Sequence, residues 1–479
     1  MTRSPAVLDK KVLIIGAGGK TGNALVKLAV RRFKTVIIWD DKPGFTLPFE
    51  HENLQLAQKE HIESGSILEK IDFITLSPGV PLNKRIFRLA RNADIPILSE
   101  IELCNKDLSR FKIIGITGTD GKSTVTSMLT HMLNHFADKP NCAIACGNFG
   151  LPFSQIVIEL EDNPEKYSAI EYLVAELSSY QLELFRNVRL QIAMFLNLAP
   201  DHLDRYADMS EYGRAKWNIL NGLRNNDLAI INSKLMPGQT DLFDSGTGHP
   251  LQFPLFHYEV IAVEAEHSRS KNVQLSADDF LLAKNETICH LNELKFRGKH
   301  NYINLLFVVE AFLRLFPNAE KDVIKNSISG FTGLPHRYEI LANHKQITFI
   351  NDSKATTCQA LSTALQNSES QVYLFCGGKS KGEDYSLLRP VLEEKAPYIF
   401  LYGDNKEELR NAWQETGLIY SSSQTLDEAF AAALEKRQQE AQSDVLFLLS
   451  PASTSWDQYS SFEERGDHFR KLVNDFQNY

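Results

Sequence analysis

The sequence has few cysteines, and its cysteines and histidines form no metal-binding pattern. Six cysteines are spread over 479 residues, and none belongs to a Cys-x-x-Cys pair. The thirteen histidines likewise include no His-Glu-x-x-His motif. These absences argue against a disulfide framework and against a zinc site. We therefore expect reduced thiols in a cytoplasmic protein, and any metal should be a hard ion bound by oxygen.

Long apolar runs and an excess of positive charge are also missing. No run approaches the roughly eighteen apolar residues that a membrane span needs. The start of the chain passes from a charged leader directly into a short strand-like segment, which is unlike a signal peptide. The net charge of -9 provides no basic surface for a nucleic-acid backbone. We expect neither a membrane nor a nucleic acid as a partner.

The segment GITGTDGKST, residues 115–124, has the features of a phosphate-binding loop. Its glycines let backbone N–H groups approach an anion, Lys122 adds positive charge, and Ser123 offers a hydroxyl to Mg²⁺. An apolar strand precedes the loop and an amphipathic helix follows it, which favours a nucleotide site. Ile116 stands where the strict Gly-x4-Gly-Lys-Ser pattern has glycine. The alternative is a glycine-rich turn with a solvated lysine.

The length of the chain exceeds what one hydrophobic core supports, and strand-like and helix-like segments alternate along it. This pattern predicts an α/β protein of three domains. We expect a Rossmann-like domain over residues 1–108, a central P-loop ATPase domain with a parallel sheet over 109–334, and a second Rossmann-like domain over 335–479. The poorly patterned stretch 233–275 is expected to be a surface insertion.

A second glycine-rich loop, GAGGKTG at residues 16–22, follows the first predicted strand. It resembles a dinucleotide fingerprint, but Thr21 stands where the third glycine belongs. Two interpretations stay open, a tight strand-to-helix turn or a loop for a phosphate-bearing ligand at the carboxyl edge of the sheet. Asp40 and Asp41 end the next long strand and fit the second interpretation.

Three further ionisable side chains in the central domain differ in what the residues alone indicate. Glu176 closes the apolar run YLVAE, which favours a metal ligand near the phosphate loop over a capping or salt-bridged acid. His202 follows the next apolar run in a loop with two aspartates. Lys216 lies in a segment that is expected to be helical. From the residues alone, His202 and Lys216 are expected to be solvated.

The last domain shows four apolar strands that end in polar or glycine-rich loops. Because ligands bind at the carboxyl ends of strands in such sheets, these loops are expected to line one cleft. The strand-and-loop segments are ITFINDSKATT, VYLFCGGKSKG, YIFLYGDN and DVLFLLSPASTSWD.

Seven stretches taken together resemble the Mur ligases, ATP-dependent enzymes that add amino acids to the UDP-muramic acid precursor of bacterial peptidoglycan. NDSKAT and the SPA-x-x-S-x-D run before F-x-x-R-G resemble the members that add D-glutamate. Another Mur ligase, a folylpolyglutamate synthase and a non-catalytic nucleotide-binding protein are the alternatives. The seven stretches are GTDGKST at 118–124, ELSSYQLE at 176–183, DHLDRY at 201–206, KHNYIN at 299–304, GLPHRYE at 333–339, NDSKATT at 351–357 and SPASTSWDQYSSFEERGDHF at 450–469.

The resemblance implies a monomeric enzyme that joins D-glutamate to UDP-N-acetylmuramoyl-L-alanine through an acyl phosphate, with a role in cell shape and cell division. It implies two Mg²⁺ ions, the first held by Ser123 and Glu176 and the second by His202 and a carbamate on Lys216. The implied catalytic residues are Lys122, Glu176, His202 and Lys216. Closure of the last domain on ATP is expected to exclude water. The implied ATP contacts are Gly118, Thr119, Asp120, Gly121, Lys122, Ser123, Thr124, Asn301, Asn304, Arg337 and Asp352, although Asn301 is equally placed for helix capping.

The resemblance also implies binding residues for the two other substrates. Residues 377–381 read Gly-Gly-Lys-Ser-Lys, whereas the family usually has an aspartate in this loop. Either Lys379 or Lys381 is therefore expected to reach D-glutamate. The implied contacts to the UDP-sugar are Lys20, Thr21, Asp40, Ser77, Gly79 and Asn148. The implied contacts to D-glutamate are Lys354, Thr356, Lys381, Ser455 and Phe462, with His202 nearby.

Overall fold

The computed structural model describes residues 8–136, 139–201, 205–236, 258–368, 370–440 and 444–478. The chain divides into two compact units. The first comprises Met1–Glu293 and Ile303–Ser329, and the second comprises Leu294–Tyr302 and Gly330–Tyr479. The expected α/β class is confirmed, because parallel sheets with helical connections form both units. The three domain boundaries stay predictions.

The N-terminal part of the first unit is a parallel sheet with the strand order β3-β2-β1-β4-β5. Because β1 lies between β2 and β4, the order reverses at its carboxyl end, which is where ligands bind in such sheets. The strands are β1 (Leu8–Ile15), β2 (Phe33–Trp39), β3 (Leu54–Leu56), β4 (Phe73–Leu76) and β5 (Ile97–Ser99). The helices are α1 (Lys20–Arg32), α2 (Lys59–Ser64), α3 (Arg85–Asn92) and α4 (Glu100–Leu108).

The central part of the first unit is a parallel sheet with the order β11-β10-β9-β6-β8-β7. Strands β8, β9 and β10 are buried over their whole length, as expected for strands covered on both faces. The strands are β6 (Lys112–Thr117), β7 (Ala143–Gly147), β8 (Tyr172–Glu176), β9 (Ile192–Phe195), β10 (Leu228–Asn232) and β11 (Glu259–Val263). The helices are α5 (Lys122–Asn134), α6 (Phe153–Asp162), α7 (Ser179–Leu182), α8 (Met209–Trp217), α9 (Lys299–Leu315), of which the residues from Ile303 onward belong to this unit, and α10 (Lys321–Ser329).

The prediction of a surface insertion over 233–275 is wrong for the part that the structure describes. Strand β11 pairs in parallel with β10 and forms the edge of the central sheet. Farther along, β12 (Val273–Leu275), β13 (Phe280–Ala283) and β14 (Glu286–His290) form a separate antiparallel sheet. These strands are short and only partly buried, so they lack the continuous apolar run by which the central strands were recognised. Residues 237–257 lie outside the described ranges.

The second unit contains a sheet with the order β15-β16-β20-β17-β18-β19, in which only β15 is antiparallel to its neighbour among the described pairings. The strands are β15 (Glu339–His344), β16 (Ile347–Asn351), β17 (Gln371–Gly377), β18 (Tyr398–Tyr402), β19 (Ile419–Ser422) and β20 (Val445–Leu449). The helices are α11 (Cys358–Gln366), α12 (Arg389–Lys395), α13 (Lys406–Trp413), α14 (Leu426–Gln439) and α15 (Phe462–Gln477).

The N-terminal and central sheets of the first unit are joined through their helices. Arg32, at the end of α1, pairs with Asp107 of the N-terminal part at 2.6 Å and also with Glu161 of α6. Glu100, the first residue of α4, accepts hydrogen bonds from the backbone N–H and the hydroxyl of Ser154 at 2.9 and 2.6 Å. The two sheets therefore present their carboxyl-edge loops within one compact body.

None of the described helices combines the length and the apolar character that a bilayer crossing requires.

Candidate active site

The phosphate loop has the predicted strand-loop-helix arrangement. Strand β6 ends at Thr117 and α5 begins at Lys122. Ile116, the departure from the strict motif, is a fully buried strand residue, so the loop begins only at Gly118. Gly121 has a positive φ of 80°, and a Cβ there would lie 2.7 Å from Oδ1 of Asn304. Only glycine satisfies both constraints.

Two side chains hold the first half of the loop in place. Oδ1 of Asn197, in the segment after β9, accepts hydrogen bonds from the N–H groups of Thr119 and Asp120 at 3.0 and 2.9 Å. Nζ of Lys122 donates to the carbonyl oxygens of Gly118 and Thr119 at 2.9 and 2.6 Å. The N-terminus of α5, with Ser123 almost fully buried there, supplies the partial positive charge that favours phosphate.

Glu176 lies beside this loop as the last residue of β8, paired in register with Ile116. Its side chain is 2% exposed. Oε1 accepts a hydrogen bond of 2.6 Å from Nδ2 of Asn148, whereas the buried Oε2 has no hydrogen-bond partner among the described residues. An uncompensated carboxylate oxygen in the interior is costly. A cation at this position would remove that cost, so the residue fits a metal ligand.

Lys216 is buried, and the solvated side chain expected from the residues alone is wrong. It is 1% exposed on α8, and its Nζ donates a hydrogen bond of 2.6 Å to the carbonyl oxygen of Gly118. Tyr212, one helical turn earlier, places its ring 4.5 Å from the same nitrogen. Burial, followed by the positive charge of Lys122, lowers the pKa of Lys216 to about 6.

His202, the remaining member of the implied catalytic set, lies outside the described residues. Asp201 is described, and its negative charge acts on Lys216. Among the described residues, no three His, Cys, Asp or Glu side chains lie together in a way that could hold a metal ion.

The residues implied for the UDP-sugar lie on loops that meet in the first unit. Oδ2 of Asp40 accepts a hydrogen bond of 2.8 Å from the N–H of Gly18, so Asp40 braces the first glycine loop. Lys20 begins α1, and its Nζ donates to the carbonyl oxygen of Gly150 at 2.9 Å. Because Gly150 follows Asn148 in the loop after β7, this bond connects the N-terminal loop with the neighbourhood of Glu176.

The remaining UDP-sugar residues occupy the carboxyl ends of β1 and β4. Ser77 follows β4, and its N–H donates to the carbonyl oxygen of Ile15 in β1 at 3.0 Å. Gly79 lies in the same turn, and Thr21 lies in the first turn of α1. These residues share the edge at which the strand order reverses, so the structure brings the predicted positions together.

In the second unit the four polar loops meet at one edge of the sheet, as predicted. Nζ of Lys381 donates a hydrogen bond of 3.0 Å to Oγ1 of Thr356. Lys379 instead pairs through its backbone with Thr454. Of the two lysines that could reach D-glutamate, Lys381 is therefore the one that lies beside another implied D-glutamate residue.

Two more implied D-glutamate residues pack together at this edge. Nζ of Lys354 lies 4.0 Å from the ring centre of Phe462, which begins α15. Ser455, in the loop after β20, is almost fully buried. A cationic side chain held against an aromatic face is suited to a carboxylate ligand whose hydrocarbon part packs nearby.

Asp352 is half-buried in the second unit, near Arg337. Its Oδ1 accepts a hydrogen bond of 3.0 Å from the N–H of Tyr338, and its Oδ2 accepts one of 3.1 Å from the hydroxyl of Ser450. Burial raises the pKa of Asp352 to about 7, and the charge of Arg337 partly offsets this effect. Asn301 donates from its side chain to the carbonyl oxygen of Arg297 at 2.8 Å, which is a different contact from an N-cap hydrogen bond.

Three residues with a structural part in the site were missed from the sequence. Asn197 was detectable as a polar amide directly after a buried strand, and Tyr212 as an aromatic residue four positions before Lys216 on one helix face. Arg465 is fully buried and donates to the carbonyl oxygens of Ser353 and Ser453 at 2.8 and 3.0 Å. It thereby fixes two of the four loops, and its burial has no local sequence signal.

Two segments of the chain match known protein families. Residues 116–312 match the Mur ligase middle domain, and residues 336–452 match the Mur ligase, glutamate ligase domain. Three similar relatives are named UDP-N-acetylmuramoylalanine--D-glutamate ligase. The protein from Natranaerobius thermophilus is 30% identical over 97% of both chains, that from Salinibacter ruber is 33% identical over 88% of both, and that from Chlorobium chlorochromatii is 32% identical over 98% of this chain and 99% of the relative.

Solved structures share the fold at low sequence identity. MurF ligase from Thermotoga maritima in complex with ADP has a TM-score of 0.57 and 14% identity, with coverage of 99% of this chain and 98% of that one. UDP-N-acetylmuramate-alanine ligase from the same organism has a TM-score of 0.54 and 17% identity, covering 98% and 100%. Folylpolyglutamate synthase from Mycobacterium tuberculosis has a TM-score of 0.53 and 13% identity, covering 77% and 93%.

Proposed function

Because the chain belongs to the Mur ligase family, we propose that it is the ATP-dependent ligase that adds D-glutamate to UDP-N-acetylmuramoyl-L-alanine. The observation that carries this proposal is the convergence of Lys122, Glu176 and Lys216 on the loop Gly118–Gly121. The relatives that bear the D-glutamate ligase name and match nearly the full length of the chain support the choice of substrates.

The reaction proceeds in two steps. A carboxylate oxygen of the alanyl group attacks the γ-phosphorus of ATP, the bond to the β–γ bridging oxygen breaks, and ADP leaves. The amine of D-glutamate then attacks the carbonyl carbon of the acyl phosphate. Inorganic phosphate departs with the bonding electron pair, and the amine loses a proton as the amide forms. The protein contributes little covalent chemistry. It catalyses the reaction by positioning the three substrates and by neutralising the charge on the phosphate oxygens.

The phosphate loop supplies most of that neutralisation. In this structure the ammonium group of Lys122 donates to the carbonyl oxygens of Gly118 and Thr119. When ATP binds, the ammonium group donates to the phosphates instead. The N–H groups at the start of α5 face the same charge. Asn197 keeps the first half of the loop fixed, so the loop does not have to reorganise around ATP.

The resemblance to the Mur ligases implies two Mg²⁺ ions beside the loop. Ser123 and Glu176 would hold the first, and the unpartnered Oε2 of Glu176 is the observation that favours it. His202 and a carbamate on Lys216 would hold the second. When bound, Mg²⁺ neutralises the charge that the phosphate oxygens carry and develop.

The carbamate is supported by the burial of Lys216. Its amine sits beneath the phosphate loop with Tyr212 packed against it, where a permanent cation is unfavourable. A neutral amine adds CO₂ and releases one proton, which converts the side chain into an anion that is suited to a nearby metal.

The two remaining substrates are assigned to the loops already described. Lys20, Thr21, Asp40, Ser77, Gly79 and Asn148 bind the UDP-sugar. Lys354, Thr356, Lys381, Ser455 and Phe462 bind D-glutamate, with Lys381 rather than Lys379 on its carboxylate. Asn301, Asn304, Arg337 and Asp352 bind ATP. A monomeric state and a cytoplasmic location complete the proposal.

A phosphate-release assay tests this function. We expect release of phosphate that depends on the presence of ATP, UDP-N-acetylmuramoyl-L-alanine and D-glutamate together. L-Glutamate and L-lysine serve as controls, and neither is expected to support turnover. Turnover with L-lysine in place of D-glutamate would assign the chain to a different Mur ligase activity, and no phosphate release with any of them would refute a catalytic role.

A further inference from the structure

Arg205 connects the two sheets of the first unit next to the site. It lies in the segment between β9 and α8, and its side chain is 10% exposed. Nε and Nη2 donate to the two carboxylate oxygens of Glu183 at 3.0 and 2.8 Å. The guanidinium carbon also lies 4.1 Å from the ring centre of Tyr180. A planar, bidentate and stacked geometry of this kind is specific to arginine.

The same guanidinium reaches the turn that carries the implied UDP-sugar contacts. Nη2 donates to the carbonyl oxygen of Val80 at 3.2 Å, and Nη1 lies 3.5 Å from the carbonyl oxygen of Gly79. These two residues end the turn that begins at Ser77, where the N–H of Val80 donates to the carbonyl oxygen of Ser77 at 3.1 Å. Arg205 therefore holds this turn from the side of the central domain.

The Ser77–Val80 turn also supports the first glycine loop. A Cβ on Gly16 would lie 2.5 Å from Cγ2 of Val80 and 2.9 Å from Cβ of Ser77, so the two loops are in close contact. A shift of the turn would consequently move the loop that leads into α1.

The turn also packs against the central part of the unit, because Val80 and Leu184 belong to one buried hydrophobic cluster. A cavity of about 350 Å³ lies beside Arg205, and both domains contribute to its lining, with Pro81 and Leu82 from the N-terminal side and Ala215 from α8. The hydrogen bonds of Arg205 add directional contacts to this apolar packing.

The partner of Arg205 is itself well anchored. Glu183 directly follows α7, and its Oε1 also accepts a hydrogen bond of 2.7 Å from the hydroxyl of Tyr206. Helix α7 is fixed at its start by a capping box between Ser178 and Gln181. Since this helix begins three residues after Glu176, the position of Arg205 is tied to the end of β8.

We propose that Arg205 is a positioning residue that holds the Ser77–Val80 turn in register with the phosphate loop, so that the alanyl carboxylate of the UDP-sugar meets the γ-phosphate. The proposal rests on the proposed function for the identity of the substrate. It assigns Arg205 no contact with any substrate, and its effect is expected on the UDP-sugar alone.

Steady-state kinetics of Arg205→Ala and Arg205→Lys test the assignment. For Arg205→Ala we expect the KM for UDP-N-acetylmuramoyl-L-alanine to rise by about ten-fold, which corresponds to the loss of a charge-assisted hydrogen-bond network. The KM values for ATP and D-glutamate should stay within about two-fold. Arg205→Lys keeps the charge but cannot serve Glu183 and Val80 together, so it should fall between Arg205→Ala and the unaltered chain.

Arg189→Ala is the matched control. Arg189 pairs with Asp227 through Nε and Nη2 at 3.3 and 2.9 Å, so the described bonds of its guanidinium go to the central part of the unit and not to the turn. We expect unchanged KM values for all three substrates in this variant. A general loss of stability would lower the Tm and the amount of folded protein, and therefore the apparent kcat, whereas loss of positioning raises the KM for the UDP-sugar alone.

Calorimetric titration of UDP-N-acetylmuramoyl-L-alanine without ATP separates this proposal from the function on which it rests. Binding without turnover by the unaltered chain would refute the function, and the Kd of the variants would still test the role of Arg205. An unchanged KM and Kd for the UDP-sugar in Arg205→Ala would overturn the proposal, as would an equal rise for all substrates. If Arg205→Ala does not fold, Arg205→Lys provides the same comparison.

Discussion

The Nζ nitrogen of Lys216 lies 2.6 Å from the carbonyl oxygen of Gly118, the residue with which the phosphate loop begins. Burial and the nearby charge of Lys122 lower the pKa of Lys216 to about 6. The amine is therefore largely neutral above pH 7, and a neutral amine is the form that adds CO₂. This neutral form is the one that the proposed carbamate on Lys216 requires.

We predict that Lys216→Ala reduces phosphate release by at least about a hundred-fold, because the negative charge beside the metal is lost. A short carboxylate such as acetate should restore part of the activity by occupying the space of the missing side chain. The measurement is the rate of phosphate release with increasing acetate.

Lys271→Ala provides the control for this experiment. Lys271 is a surface residue of the same unit that pairs with Glu259 at 2.6 Å, so its loss should leave activity unchanged and acetate should have no effect on it. Full activity of Lys216→Ala would remove the carbamate from the account.

Lys122→Ala is expected to abolish turnover, since no other side chain of the loop carries a positive charge for the phosphates. The loss should be in ATP consumption itself, and the fold should persist because the β6 strand and the α5 helix on either side of the loop are retained. Normal ATP consumption in a folded variant would contradict the assignment. Circular dichroism provides the check of folding.

Lys381→Ala is expected to raise the KM for D-glutamate by about ten-fold, because the ammonium group beside Thr356 is the one assigned to a substrate carboxylate. Lys379→Ala is the natural comparison. Its side chain is exposed, and its backbone pairing with Thr454 does not depend on the side chain. A larger KM change in Lys379→Ala than in Lys381→Ala would reverse the assignment.

Glu100 should make the stability of the chain depend on pH. Burial raises the pKa of Glu100 to about 7, with hydrogen bonds from Ser154 as a partial offset. A carboxyl group with a raised pKa in the folded state stabilises fully below its unfolded pKa, near 4.5, and this contribution is lost as the pH rises to 7.

Glu100→Gln removes that dependence and keeps an oxygen for the bonds from Ser154. We expect the variant to gain stability relative to the unaltered chain between pH 5 and pH 8, on the order of 1 to 3 kcal/mol. Urea denaturation at the two pH values provides the measurement. If the free energies of unfolding of the two proteins differ by the same amount at both pH values, Glu100 does not titrate in this range.

Local patterns were sufficient for the parts of the site that follow strands. The apolar run before the loop, the helical periodicity after it and the acid at the end of YLVAE placed Lys122, Ser123 and Glu176 correctly beside one another. These features depend on short segments whose side-chain period identifies the element and its end.

Contacts between distant segments were not predictable in the same way. Lys216 contacts a carbonyl oxygen 98 positions away, and Arg205 contacts one 125 positions away. The residues around Lys216 gave no sign of its burial, because the helix face that holds it is covered only once the phosphate loop packs there. Family resemblance identified Lys216, but it provided no reason to single out Arg205.

Transfer of ¹⁸O from the substrate carboxylate to phosphate tests the central claim most directly. UDP-N-acetylmuramoyl-L-alanine labelled in its alanyl carboxylate is incubated with ATP, Mg²⁺, D-glutamate and the protein, and the released phosphate is examined by ³¹P NMR. An acyl phosphate intermediate requires that each phosphate carry one labelled oxygen. Formation of the amide product with unlabelled phosphate would contradict the proposed mechanism.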